Sequence, residues 1–87
     1  MILWDENKNI KLKLERNVSF EEISEYILSE NIVDIIDHPK RKNQNIFVLE
    51  LNNYIHAVPF VIDDNENIIL KTAYHSRKLH KKYRGKI

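Results

Sequence analysis

The chain contains no cysteine and only one glycine among its 87 residues. Without cysteine, disulfides, thiolate catalysis and cysteine-based zinc or iron–sulfur sites are excluded. The single glycine, Gly85, cannot supply a glycine-rich loop that cradles phosphates, so nucleotide-dependent transfer is excluded as well. With 43% hydrophobic residues, 31% charged residues and two prolines, the composition is typical of one folded domain spanning residues 1–87.

Long hydrophobic runs are also missing from the sequence. The longest apolar stretches, such as FVLEL and AVPFVI, fall far short of the roughly 18 residues that a membrane helix needs. The N-terminus lacks the basic segment followed by a hydrophobic one that marks a secretory signal. We therefore expect a cytoplasmic protein that does not associate with membranes.

Residues that bind metals are sparse and poorly spaced. Acids gather in the stretch DDNEN, and His38 follows Asp37, but neither segment matches the ligand spacing of a calcium loop or a zinc site. We interpret both segments as solvated turns. The sequence therefore predicts neither a metal nor another cofactor.

The cations are distributed unevenly along the chain. Residues 1–70 contain all 13 acids and 7 of the 14 Lys and Arg residues, whereas residues 71–87 contain the other 7 and no acid. A basic end of this kind favours binding to phosphates or to an acidic partner, and a solvated terminus is the alternative. The stretch HPKRK adds a second basic patch, which is either an extension of an RNA groove or a soluble loop.

Two helices are predicted in the first third of the chain. Apolar residues at helical spacing indicate a first helix over residues 6–16, and Asn17 is suited to end it in the left-handed conformation. Ser19 followed by Glu22 forms a capping box that begins a second helix. Trp4, before the first helix, is either a stacking platform for a base or, as we favour, a core anchor.

The remaining sequence predicts antiparallel strands. Alternating and β-branched residues indicate strands in four segments: NIVDIID, IFVLEL, YIHAVPFVI and IILKTAY. Asn52 and Asn53 are suited to the tight turn of a hairpin. Pro59 predicts a bulge near Val58–Pro59, because proline cannot donate a hydrogen bond to a neighbouring strand.

A short basic helix is predicted at the C-terminus. Ser76 can cap it, and it would run to about Arg84 and end at Gly85. The predicted fold class is therefore α+β, with two N-terminal helices packed on a three- to four-stranded antiparallel sheet and a short C-terminal basic helix.

Strand alternation gathers chemically active side chains at the end of the sheet. His75 and Lys71 share one face of the last predicted strand, and His56 lies on the preceding strand. Together with Arg77 at the strand exit, the two imidazoles would come within reach of one phosphate. Cleaving RNA without a metal requires a base for the 2′-hydroxyl proton, a cation for the phosphate and an acid for the leaving oxygen. A histidine that is only a surface or core residue is the alternative.

These side chains receive specific roles. We expect Arg77 to bind the scissile phosphate, and His75 is the favoured acid or base because imidazole titrates near neutral pH. Lys78 and Tyr74 assist, and His56 is a further catalytic candidate. The residues expected to bind the rest of the RNA belong to the C-terminal segment: Lys71, Lys81, Lys82, Tyr83 and Arg84.

Several motifs resemble those of the BrnT-like toxins of bacterial type II toxin–antitoxin systems. The matching N-terminal residues are Trp4, Asp5, Lys8, Val18, Ser19, Phe20, Glu21 and Glu22. The residues that correspond to the family's Lys-His-Gly are Glu15, Arg16 and Asn17. The residues that match its Ala/Ser-Arg-Lys segment are Ser76, Arg77 and Lys78.

This resemblance implies a RelE-like fold and a metal-independent endoribonuclease that slows growth by cleaving RNA. It also implies a cognate antitoxin, typically a ribbon-helix-helix protein, which inhibits the toxin in a hetero-oligomer and carries the pair to DNA. The first alternative is a non-catalytic module that binds nucleic acid or an acidic partner. The second is an inactive homologue that has lost the family's Lys-His pair.

Overall fold

Three helices and six strands occupy residues 1–84, which are the residues that the computed structural model describes. In chain order they are β1 (Ile2–Trp4), α1 (Glu6–Arg16), α2 (Phe20–Leu28), β2 (Asp34–Asp37), β3 (Asn45–Leu51), β4 (Tyr54–Ile62), β5 (Ile68–Leu70), β6 (Tyr74–His75) and α3 (Arg77–Tyr83). The predicted α+β class is confirmed. The expected end of α3 at Gly85 lies outside the described residues.

The strands form one mixed sheet in the spatial order β1-β5-β4-β3-β2, and β6 pairs with β4 beyond the end of β5. All pairings are antiparallel except that of β1 with β5. The prediction of three or four antiparallel strands is therefore wrong in the number of strands and confirmed only in part for their direction, because the pairing of β1 with β5 is parallel. The added strand β1 is only three residues long, and although these residues are apolar and strand-like, they are too few to indicate which strand they pair with or in which direction.

Helices α1 and α2 form where local capping signals place them. Asp5 caps α1, because its carboxylate accepts a hydrogen bond from the Asn7 amide. Asn17 ends α1 with a φ of 55°, as predicted for an asparagine in the left-handed region. The Ser19 hydroxyl accepts the amide of Glu22 and begins α2. The predicted range of 6–16 for the first helix is confirmed.

A buried asparagine joins the two helices. Asn9 is fully buried, and its side-chain oxygen accepts a hydrogen bond of 2.8 Å from the backbone N–H of Phe20. Its amide group donates to Glu6 and, at 2.7 Å, to Glu21. Because a buried amide is stable only when its polar atoms are satisfied, these bonds fix the angle between α1 and α2.

The core lies on both faces of the sheet. On one face Leu12 of α1 and Ile23 of α2 pack against inward-facing residues of β3 and β4. On the other face a smaller cluster contains Val48, Ile55 and Tyr83, so α3 covers that side. Trp4 packs against the larger cluster, with its ring 5.8 Å from that of Phe20, and this position fits the core anchor rather than an exposed stacking platform.

Strands β3 and β4 form the predicted hairpin. Asn52 and Asn53 have φ angles of 54° and 62°, the conformation that a two-residue turn requires. The pairing then continues without interruption from Leu51 opposite Tyr54 to Asn45 opposite Phe60. The irregularity predicted near Val58–Pro59 is therefore absent on the β3 side of β4.

The irregularity lies on the other side of Pro59, in the last predicted strand. Between Leu70, opposite Phe60, and Tyr74, opposite Ala57, the chain has three residues where β4 has two. The Pro59 carbonyl accepts the Lys71 amide, so the backbone of Pro59 faces this segment, where its missing N–H cannot form a ladder bond. The expected continuous strand is consequently divided into β5 and β6.

Candidate functional site

The break in the last strand positions two histidines against each other. His56 of β4 and His75 of β6 are paired across the sheet, and their ring centroids are 6.0 Å apart. Directly after β6, the Ser76 amide donates to the Ile55 carbonyl, and the Ser76 hydroxyl caps α3 by accepting the Leu79 amide. This turn places Arg77 beside the histidine pair.

These side chains line one open pocket of about 470 Å³, which we call the histidine pocket. Its lining residues are Arg16, Asn17, Asn52, Tyr54, His56, His75 and Arg77. The structure therefore brings together the three residues that strand alternation placed near one phosphate. Two guanidinium groups and two imidazoles around one cavity are suited to hold and polarise a phosphate diester.

His56 is held in one tautomer. Its Nδ1 lies 2.9 Å from the Tyr54 carbonyl oxygen, and a carbonyl can only accept, so Nδ1 carries the hydrogen. In the neutral ring Nε2 is then unprotonated and free to act as an acceptor. His56 is only 5% exposed, and this burial lowers its pKa below the ordinary value despite the opposing effect of the Tyr54 carbonyl. His56 is thus neutral at physiological pH.

Tyr54 organises the aromatic side of the pocket and was not predicted from the sequence. Its ring stacks on that of His80 at 4.0 Å and meets that of His75 edge-on at 5.4 Å. His80 is fixed in turn, because its Nδ1 accepts the Ile55 amide. The only sequence signal for Tyr54 was its place on the same face of β4 as His56.

Arg16 is the second pocket residue that the sequence interpretation missed. It is the last residue of α1, and its Nη1 donates a hydrogen bond of 2.6 Å to the Ala73 carbonyl in the segment between β5 and β6. This bond satisfies a carbonyl in the broken part of the strand and holds the guanidinium beside His75 and Arg77. The sequence signal for Arg16 as a site residue was its position at the predicted end of the first helix, directly before Asn17.

Two residues predicted to assist catalysis lie elsewhere. Tyr74 precedes His75 in β6, so its side chain points to the opposite face of the sheet. Tyr74 and Lys78 line a different cavity, together with Leu79 and Lys82 on the α3 side. Tyr74 and Lys78 are therefore not among the residues that line the histidine pocket.

The predicted RNA-binding residues are divided between several surfaces. Tyr83 is buried, and its hydroxyl donates to the Asp34 carboxylate at 2.6 Å, so its ring is not available to bind RNA. Lys82 lies over this ring on the α3 side. Lys81 and Arg84 are exposed and, at spacings of four and seven from Arg77, follow the same side of α3.

Lys71 lies in a further cavity that includes the basic loop. It lines an opening of about 380 Å³ with Lys8, His38, Arg41 and the ring of Tyr74. The loop is ordered by His38, whose Nδ1 accepts the amides of Lys40 and Arg41 at 3.1 Å. Of the two interpretations of HPKRK, the one in which the loop approaches the C-terminal cations matches this position for Arg41.

The acidic turn between β4 and β5 has a structural role. The Asp63 carboxylate accepts the amides of Asn65 and Asn67, and these hydrogen bonds lower the pKa of Asp63. Within residues 1–84 no three His, Asp or Glu side chains are grouped closely enough to hold a metal ion. Over the same residues no helix is both long and apolar enough to cross a membrane.

Comparison of the chain with protein-family models, with curated proteins and with solved structures gives no match. The chemistry of the histidine pocket is consequently the basis for assigning a function.

Proposed function

We propose that this protein is a metal-independent endoribonuclease, and that it acts as the toxin of a type II toxin–antitoxin pair. The observation that carries the proposal is the convergence of His56, His75, Arg77 and Arg16 on one open pocket. The first half of the proposal rests on this geometry. The second half rests on the resemblance of the sequence motifs to BrnT-like toxins.

The chemistry begins at His56. Its unprotonated Nε2 accepts the proton of a ribose 2′-hydroxyl, and the 2′-oxygen attacks the adjacent phosphorus. The bond from phosphorus to the 5′-oxygen breaks, and a protonated His75 donates a proton to that leaving oxygen. The products are a 2′,3′-cyclic phosphate and a 5′-hydroxyl, and the proton count is balanced between the two imidazoles.

The two arginines stabilise the charge that develops during attack. Arg77 and Arg16 enter the pocket from different elements, α3 and α1, so they can bind separate non-bridging oxygens of the same phosphate. Their positive charge is most effective where it is fixed before the reaction, and the bond of Arg16 to Ala73 provides such fixation. Arg16 occupies a position where the BrnT-like motif has histidine.

The test is cleavage of single-stranded RNA by the purified protein in the presence of a metal chelator. We expect fragments ending in 2′,3′-cyclic phosphate, and a loss of rate of about 100-fold or more in Arg77→Ala and His75→Ala. Lys78→Gln removes a neighbouring charge of α3 outside the histidine pocket and should cleave at the wild-type rate. Intact RNA after incubation with wild-type protein would refute the proposal.

The toxin assignment has a separate test in cells. Expression of the chain alone should arrest growth, and co-expression of a small DNA-binding protein encoded beside it should restore growth. The Arg77→Ala variant should not arrest growth at equal expression. Unchanged growth with wild-type protein would contradict the toxin assignment without bearing on cleavage of RNA by the purified chain.

A second candidate function is nucleic-acid binding without cleavage. It is favoured by the abundance of cations along the same surface, because phosphate contacts give affinity whether or not a bond is broken. The two functions differ in the fate of bound RNA. Under the binding function, RNA remains intact and His75→Ala has no effect beyond a small change in affinity.

A further inference from the structure

The histidine pocket is one end of a longer groove. A middle cavity of about 230 Å³ runs along α1 and shares Arg16 with the histidine pocket. The same middle cavity shares Lys8 and Thr72 with the cavity at the basic loop, which we call the loop pocket. Because adjoining cavities have wall residues in common, the three lie next to one another along α1, and we treat them as one groove.

The charge of this path is strongly one-sided. The Lys and Arg residues that line it are Lys8, Lys11, Arg16, Arg41, Lys71 and Arg77. Glu15 is the one acid among the lining residues of these three cavities. The whole chain has a net charge of only +1, so the groove concentrates positive charge that the rest of the surface balances.

Two hydrogen bonds join α1 to the segment between β5 and β6 along the middle of the groove. Lys8 Nζ donates to the Lys71 carbonyl at 3.2 Å, and Arg16 donates to the Ala73 carbonyl. Each of these cations retains further N–H donors beyond the one used. Lys8 and Arg16 are eight positions apart on the helix, which at about 1.5 Å per residue gives about 12 Å. That distance corresponds to three or four stacked nucleotides at about 3.4 Å each.

Aromatic groups lie at both ends of this path. Tyr74, exposed at 36%, lines the loop pocket, and the rings of Tyr54 and His75 line the histidine pocket. Tyr74 and His75 are exposed, and exposed rings stack on unpaired bases, whereas paired bases in a duplex have no free face to offer. Cations along the middle with rings at the ends are the arrangement that fits a single strand.

We propose that the groove binds single-stranded RNA, and that the loop pocket is a second subsite several nucleotides from the cleaved bond. At this subsite Arg41 and Lys71 bind phosphates and Tyr74 stacks on a base. This inference rests on the proposed function, which identifies the histidine pocket as the site of cleavage. It adds single-stranded RNA as the substrate class and the loop pocket as a binding site that cleavage itself does not require. Tyr74 thus acts at a site separate from the reacting atoms.

The experiment compares RNAs of two lengths on the double variant Arg41→Gln/Lys71→Gln. The ligands are a dinucleotide and a single-stranded octanucleotide with 2′-O-methyl riboses, which cannot be cleaved, so binding is measured independently of catalysis. The control Lys78→Gln/Lys82→Gln also removes two charges, but from the α3 side. Titrations are carried out at several salt concentrations.

Each phosphate contact contributes about 0.7 to the slope of log K against log salt, so the loss of two contacts should reduce the slope by about 1.4. At 0.1 M salt this corresponds to binding of the octanucleotide that is about 25-fold weaker in the double variant. Binding of the dinucleotide should be unchanged, and the control should resemble the wild type with both ligands. If the double variant matches the control, the loop pocket is not a subsite. The proposal is also overturned if the wild-type protein binds duplex RNA as tightly as the single-stranded octanucleotide, or binds an acidic peptide more tightly than RNA.

These outcomes are distinct from those of the cleavage test. A protein that cleaves RNA but shows no length-dependent loss in the double variant retains its proposed function and loses the second subsite. A protein that leaves RNA intact but shows the length-dependent loss retains the groove and loses the ribonuclease assignment.

Discussion

At the scale of single residues, His56 is the side chain whose environment bears most directly on activity. Burial lowers its pKa, and the Tyr54 carbonyl fixes the hydrogen on Nδ1. If His56 is the general base, kcat/KM for RNA should rise with pH through this lowered pKa and level off below about 6.5, the ordinary pKa of histidine. The His56→Asn variant should lose about 100-fold or more in rate together with this acidic limb.

The pH profile separates this role from a structural one. A His56→Asn protein that is merely less stable would show a reduced fraction of active enzyme but keep the wild-type dependence on pH. Persistence of the acidic limb in the variant would therefore show that another group is the base. Among the side chains around His56, His75 and Arg16 lower the pKa of His56 further, and Glu22 raises it.

The residues of the histidine pocket were only partly predictable. His56, His75 and Arg77 follow from alternation in two strands and from the chemistry of imidazole and guanidinium groups. Arg16 could not be derived in this way, because it belongs to α1 and reaches the pocket only when that helix packs over the broken last strand. Alternation also predicts that Tyr74 and His75 lie on opposite faces of their strand, and β6 is formed by these two consecutive residues.

At the scale of elements, the attachment of α3 to the sheet supports the position of Arg77. The Tyr83 hydroxyl donates to Asp34 of β2, across the smaller core cluster. Replacing Tyr83 by Phe removes this bond and leaves the exposed Asp34 carboxylate without that donor, which should lower the free energy of unfolding by about 1 kcal/mol, the net contribution of a typical hydrogen bond. Urea denaturation measures the change. Because Ser76 still caps α3 next to Arg77, activity at low temperature should remain.

A double-mutant cycle isolates this hydrogen bond. In an Asp34→Ala background the same Tyr83→Phe change should have much less effect, since the partner is already absent. Equal losses in both backgrounds would mean that the hydroxyl stabilises the protein through other contacts.

At the scale of the whole molecule, three lowered pKa values predict that acid weakens the fold. His56 has a lower pKa when folded, so the unfolded chain binds more protons and the free energy of unfolding falls as pH decreases below about 6.5. Glu21, whose pKa is lowered chiefly by Asn9, and Asp63, whose pKa is lowered by Asn67, act in the same direction at more acidic pH. Tyr83 instead makes the free energy of unfolding fall at alkaline pH. Its pKa is raised by Asp34, and its contribution is lost as pH rises past about 10.

Thermal unfolding at a series of pH values tests the loss of stability that we attribute to His56. The Tm of the wild type should fall between pH 7 and pH 5, and the His56→Asn variant should show a smaller fall over that interval, whatever its absolute Tm. An equal fall in both proteins would assign the acid sensitivity to other groups. The comparison uses differences within each protein, so an overall loss of stability in the variant does not affect it.

Local sequence by itself determined where α1 ends, where α2 and α3 begin, and the position of the hairpin. Asn17, Ser19, Ser76 and the pair Asn52 and Asn53 each act through hydrogen bonds or backbone angles set within a few residues, so no distant contact was needed to predict them.

Only the tertiary structure decided how the sheet is completed and what surrounds the histidines. The parallel pairing of β1 with β5 joins residues more than sixty positions apart, and no local pattern specifies it. The extra residue between β5 and β6 exposes carbonyls that Lys8 and Arg16 of α1 then bind, and this packing creates the basic groove. A single unpaired residue in a strand changes which side chains share a face, and its effect depends on the helix that covers it.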